Sequence, residues 1–222
     1  MPYNELNMKI GNKKTGLKRT LPIGVLPVNL KTIINLPLPN LFLEKDINIA
    51  LREVCKELLN DAMTREDGYR HGEIGYLLRV NNDSTIDILY KAYGDYIHIP
   101  LSNMTDYWEV INSNRDFDPE LLFVHNHPNN DGFSFGDFSM IVNTFEIRTI
   151  IAVGNRGNFY FMRKNEKSLR YRGILTNIEH EAAKLHGIEA DVDTVRTCRD
   201  QVFNKYLYSN LIYGVDYWSI IK

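Results

Sequence analysis

Residues 121–137 read "LLFVHNHPNNDGFSFGD", and two histidines, a serine and an aspartate in that stretch could hold a metal ion or move a proton. Side chains at i and i+2 of a β-strand leave the same face, so His125 and His127 point together while Asn126 points away. Two strand rises separate their Cα atoms by about 6.6 Å, a span across which two imidazoles can tilt onto one ion. A catalytic zinc site takes three protein ligands and leaves one position for water. The third is sought after Pro128, where the strand stops and a loop leads to Ser134 and, one helical turn later, Asp137. A carboxylate with two imidazoles suits zinc, one ion per chain.

Hydrolysis needs in addition a base that does not itself occupy the metal. Glu73, the only acidic residue in "HGEIGYLLRV", opens the first clear strand and is the candidate. It would take a proton from a water whose pKa zinc lowers to about 7 and return it to the leaving amine. Ser134 is the candidate donor to the oxyanion of the tetrahedral intermediate. Plainer readings exist for both. Ser134 with an acid three residues later has the pattern of a helix capping box, and a strand-start carboxylate is commonly just solvated. Capping and metal binding are compatible for Asp137, because a carboxylate has more than one lone-pair direction. His71 reads as a turn residue, His98 as the polar face of a short strand, and His180 and His186 as helix surface.

The elements that must position these groups follow from hydrophobic periodicity. Residues 21–39 are punctuated by Pro22, Pro27, Pro37 and Pro39 and read as extended pieces and turns. "LEKDINIALREVCKELLNDAM" is an amphipathic helix, with Ile47, Ala50, Leu51, Val54, Leu58 and Met63 spaced by threes and fours. "EIGYLLRV" and "TIDILYKAY" around "NNDS" predict a β-hairpin, "YIHIPL" a short strand and "DYWEVINSN" a helix. "ELLFVHNH" is a central strand by its unbroken apolar run. "SFGDFSMIVNTFEI" is a helix with Phe138, Ile141, Val142 and Phe145 on one face, and "RTIIAVG" and "NFYFMR" are strands joined by "NRG". The chain then turns helical and ends in a Tyr-rich tail. This order predicts an α/β sandwich with a mixed sheet flanked by helices. The expected division is an N-terminal arm over 1–43, a catalytic domain over 44–164 and a helical extension over 165–222.

Glu73, "HNHP" at 125–128 and "SFGD" at 134–137 together resemble the JAMM (MPN+) metalloproteases, a family that includes ubiquitin isopeptidases and the bacterial JAB-type and RadC-type domains. "GEIGYLL" looks like that family's Glu-bearing strand, and "IIAVGNRGNFYFM" is similar to the strand pair after its metal helix. The resemblance spans residues 45–164. It implies a JAB/MPN fold of the cytidine-deaminase-like sandwich type and zinc held by His125, His127 and Asp137. It also implies Glu73 as base, Ser134 beside the metal, and a peptide or ubiquitin-like substrate. The usual pattern puts ten residues between the second His and the Asp; nine stand here, the shortening falling in the loop before Ser134. A second expectation is a catalytically silent scaffold of the same fold, binding partners through its C-terminal helices. A homo- or hetero-oligomer through those helices is compatible with the sequence.

A formal net charge of -2 in 222 residues argues against a general nucleic-acid binder, which needs a basic face. Two separated cysteines make neither a disulfide framework nor a Cys-based zinc cluster, and the default setting is the reducing cytoplasm. The apolar stretch 21–43 is too broken by proline, asparagine and lysine to cross a membrane or serve as a secretory signal. Other metallohydrolases fit less well. The metallo-β-lactamase pattern needs Asp-His where Asn129 and Asn130 stand, and the dispersed residues of HNH nucleases are a different arrangement from contiguous "HNH".

Overall fold

The computed structural model describes residues 21–101, 105–114, 120–165, 171–187, 190–209, 211–212 and 215–221. Six strands form one mixed sheet in the order β2-β1-β3-β4-β5-β6. They are β1 (Ile74–Val80), β2 (Ile86–Tyr93), β3 (Glu120–His127), β4 (Ile147–Gly154), β5 (Phe159–Lys164) and β6 (Val215–Ile220). Only β3 and β4 run parallel; every other neighbouring pair is antiparallel. The parallel pair needs a crossover, and α4 (Phe135–Asn143) supplies it, which is what carries the chain from the histidines back over the end of β3.

Helices cover both faces. On one side α1 (Leu30–Ile34) and α2 (Lys45–Thr64) bury Ile33, Leu51, Cys55, Leu58, Leu59 and Ala62 against Tyr76, Leu78, Leu122, Val124, Ile151 and Phe161. On the other, α3 (Thr105–Ser113), α4, α5 (Tyr171–His186) and α6 (Val192–Tyr208) bury Ile111, Phe138, Ile141, Ile178 and Phe203 against Leu77, Phe123, Ile150 and Met162. Burial on both faces is why β3 reads as a continuous apolar run rather than an alternation. The alternation is still decisive at its end. Residues 123, 125 and 127 share the face of α4, and residues 124 and 126 share the face of α2.

Several expectations are corrected by the structure. "YIHIP" forms no strand: the Asp95 carboxylate accepts the N–H groups of Ile97 and His98 at 2.6 and 3.0 Å, a local turn that outcompetes a ladder. His98 therefore lies on an exposed turn. The metal-side helix ends at Asn143, so Phe145, expected on its apolar face, stands 85 % exposed. The proline-punctuated segment contains α1, started by Asn29, whose side chain accepts the N–H of Thr32. The Tyr-rich tail includes β6, where Trp218 stacks on Phe161 with ring centroids 5.2 Å apart. The buried stripe of α2 runs through Cys55, Leu59 and Ala62, with Ala50, Val54 and Met63 at its margins.

The hairpin, the helices at "DYWEVINSN" and 45–64, the central strand and the β4–β5 pair all form where expected. Of the 1–43 arm, residues 1–20 lie outside the described residues. Residues 21–41 dock against α2 and the end of the sheet, burying Val28, Leu36 and Leu41. No helix of the described residues is long and apolar enough to cross a membrane.

Candidate metal centre

The β1–β3 register aligns Gly75 with His125, which sets Glu73 level with His127 on the same face of the sheet. Glycine at 75 has a steric reason. A Cβ there would lie 2.3 Å from the Phe123 ring, which itself stacks on the His125 imidazole. Directly after His127 the chain turns sharply, with Asn130 at φ 64. Asn130 and Asn155 both donate backbone N–H groups to the His127 carbonyl, each at 3.1 Å. The Asn130 side chain packs where a Cβ at Gly154 would sit, 1.9 Å from such an atom, and accepts the N–H of Arg156. This short, pinned loop delivers Ser134 to the start of α4.

Ser134 and Asp137 form a complete capping box. Ser134 Oγ accepts the Asp137 N–H at 3.2 Å and donates to Asp137 Oδ2 at 2.8 Å, and the Ser134 N–H also reaches Oδ2 at 2.8 Å. The box leaves Oδ1 facing His125 Nε2 at 3.0 Å, while His127 Nε2 lies 3.4 Å from Oδ2. The two Nε2 atoms approach to 2.7 Å. His125, His127 and Asp137 thus bring one ligand atom each to within 4.8 Å of the others.

His127 Nδ1 donates to the Asp131 carbonyl at 3.0 Å, which leaves Nε2 as the ring's free ligand atom. His125 Nδ1 is buried without a hydrogen-bond partner at normal distance, although the Ile151 carbonyl still favours a proton on that ring. Burial would lower both imidazoles. It does lower His125, whereas the Asp137 carboxylate, with Glu73 and the Asp131 carbonyl, overcomes it at His127 and pushes that ring up to about 9. For Asp137 burial is likewise outweighed, and the two histidines hold the carboxyl well below its usual range. Around neutral pH the proton on His127 therefore lies among three lone-pair atoms that each seek a donor or a cation.

A tetrahedral ion bonded at about 2.0–2.1 Å holds its ligand atoms roughly 3.3 Å apart. The two Nε2 atoms at 2.7 Å and His125 Nε2 at 3.0 Å from Asp137 Oδ1, with one ligand atom from each residue within 4.8 Å of the others, approach that demand once the imidazoles spread. Two imidazoles and a carboxylate are the donor set that borderline cations such as Zn²⁺ take, so the residues fit a bound divalent ion.

Burial raises the Glu73 carboxyl to about 8, helped by Asp137 and Asp95 and opposed by His127. Its backbone is locked on one side by Asp95 and Gly94, whose carbonyl and N–H pair with it at 2.7 and 2.9 Å, and by the Arg65 guanidinium on its carbonyl at 2.9 Å.

All five residues singled out in the sequence thus gather at the end of β3. Sequence reasoning missed Asp200, on α6. Its carboxylate accepts the Phe135 N–H at 2.7 Å at the mouth of α4, and burial and Asp137 raise it. It also missed His71, which is a turn residue with φ 68, as expected, but whose buried Nδ1 accepts the Val28 N–H at 3.2 Å. Nothing in local spacing announces either contact, since the partners are 65 and 43 residues away. Set against known proteins, the chain matches no family model, no curated protein and no solved structure.

Proposed function

We propose that the protein is a zinc-dependent hydrolase of peptide or isopeptide amide bonds, with a JAB/MPN-type fold and a JAMM-type site. The observation that carries this reading is the convergence of His125, His127 and Asp137 within 4.8 Å while Glu73 stands on the same face beside them. His125, His127 and Asp137 would hold a zinc ion, which when bound would supply an acidified water and polarise a carbonyl. Glu73, kept off the ligand set on the neighbouring strand, would serve as the base that takes up a proton and returns it to the departing amine. In the metal-free chain burial raises its carboxyl, and a divalent cation beside it would favour the ionised form that accepts a proton. Ser134 donates to the oxyanion, which requires its hydroxyl to turn from Asp137 Oδ2, where it points now.

The substrate class is an extended peptide or a ubiquitin-like tail, and β2, an outer strand of the sheet, offers the kind of edge to which such a chain adds by main-chain hydrogen bonds. The site works in the cytoplasm, and the C-terminal helices provide the surface for any oligomer. A panel of unstructured peptides and ubiquitin-like fusions, with cleavage followed by mass spectrometry, tests the reading. Expected are one zinc per chain, cleavage by the wild type, and a Glu73→Gln protein that keeps zinc and loses turnover. A protein that stays metal-free after zinc supplementation sinks the hydrolase in favour of a silent scaffold.

A further inference from the structure

The same strand end carries a second buried polar cluster on its opposite face. Asn126 lies between the two histidines and points away from them, into the layer of α2, where it is fully buried. Its Oδ1 accepts the N–H of Ile74 at 2.7 Å, and its Nδ2 donates to the Gly72 carbonyl at 3.0 Å. Gly72 and Ile74 are the two neighbours of Glu73. Asn126 Nδ2 also donates to Asn155 Oδ1 at 2.8 Å. Asn155, in turn, spends its own amide protons on the carbonyls of Leu26 at 2.8 Å and His71 at 3.0 Å. Every polar atom of Asn126 is engaged, so the side chain has one orientation.

The β1–β3 ladder stops at Gly75 opposite His125. Beyond that point the next donor on β1, Ile74 N–H, meets a side-chain oxygen in place of a strand carbonyl. The side-chain contact carries the β1–β3 registry one residue past the ladder. Continued in the same register, Glu73 stands opposite His127. Because successive residues alternate faces, clamping residues 72 and 74 on the α2 side orients residue 73 toward the α4 side.

We infer that Asn126, braced by Asn155, is the positioning residue that sets the Glu73 carboxyl at its working distance from His125 and His127. One side chain ties the residue between the two histidines to the peptide groups on both sides of the base. The inference rests on the metal-dependent hydrolase reading above, and it makes Asn126 part of the site's geometry with no contact to substrate or metal.

Acetohydroxamate, a small zinc-binding probe whose bound form offers a proton to a neighbouring carboxylate, reads that distance without a substrate. Its affinity is to be measured on the zinc-loaded full chain for wild type, Glu73→Gln, Asn126→Ser, Asn155→Ala and the double variant Glu73→Gln/Asn126→Ser. Leu58→Ala, in the core of α2, serves as a control that loosens packing and touches neither cluster. Positioning predicts about a tenfold loss for Glu73→Gln, a comparable loss for Asn126→Ser, a smaller loss for Asn155→Ala and none for Leu58→Ala. The double variant then binds no more weakly than Glu73→Gln alone, because the second change has nothing left to misplace. Multiplying losses in the double variant, or wild-type affinity in both asparagine variants, overturn the inference while leaving the metal centre standing. Asn155→Ala carries the test if Asn126→Ser does not fold. A wild-type chain that takes up no zinc overturns both readings, and stoichiometry measured beforehand tells the two failures apart.

Discussion

The last three residues of β3 meet two polar clusters of opposite character, one fully buried and the other opening partly to the surface at Asp137 and Glu73. On the α2 side, Asn126 and Asn155 are neutral amides whose donors and acceptors are matched. On the α4 side, two imidazoles and a carboxylate crowd acceptor atoms together around one proton, Glu73 is pushed up to about 8, and His125 Nδ1 lacks a partner. A matched buried network stabilises and specifies; an unmatched one costs stability that only another ligand returns. The difference teaches that one strand end can carry a matched amide network on one face and a crowded set of lone pairs on the other, the kind of set that the proposed metal ion would complete.

The largest expected effect is on metal binding. Asp137→Ala removes a ligand and the capping box together, and zinc affinity by chelator competition should fall by at least about 1,000-fold, roughly 4 kcal/mol. Next comes a contrast in folding stability of the metal-free protein. Asn126→Leu strands the Ile74 N–H, the Gly72 carbonyl and Asn155 Oδ1, and should cost about 3 kcal/mol in urea unfolding at unchanged m-value. His125→Leu should cost little or nothing, since it relieves a crowded lone pair. A His125→Leu protein less stable than Asn126→Leu would reverse the assignment of the two clusters.

Smaller effects concern protons. Zinc binding near neutral pH must displace the proton that His127 holds, so calorimetry in buffers of different ionisation enthalpy should report the release of about one proton per ion. The mildest effect is on pH-dependent stability. Glu73 has a folded pKa of about 8 against a reference of 4.5, so between those values the folded metal-free chain binds a proton that the unfolded chain has lost. Stability from this group is present below 4.5 and is lost as pH rises through 8. The melting temperature of Glu73→Gln relative to wild type, with metal chelated, should therefore climb steadily from pH 5 to pH 8. A difference independent of pH would mean that Glu73 is already ionised in the folded protein.

The longer helices, the hairpin, the central strand and the mixed character of the sheet were legible because periodicity over seven or more residues reports directly on burial. The front cluster was legible for a similar reason: i, i+2 on a strand and i, i+3 at a helix start are local geometries that fix which side chains face together. What escaped turned on side-chain capture of the backbone, on where a helix stops, and on partners distant in sequence. "YIHIP" alternates like a strand, yet Asp95 captures its N–H groups first. Phe145 keeps helical spacing past Thr144, whose N–H reaches the Met140 carbonyl where the helix is capped. The strand in the Tyr-rich tail depends on an open β5 edge that only the folded sheet provides. Asn126 carried a signal that could have been used, since an asparagine in the buried face of a central strand must find partners for its amide.

Asp200 adds a matter of timing. Its carboxylate clasps the first turn of α4 from 65 residues downstream, so on a translating ribosome both histidines and Asp137 leave the exit tunnel well before the clasp has been synthesised. The two histidines and Asp137 are thus made early, and the side chain that clasps the start of α4 arrives only with α6.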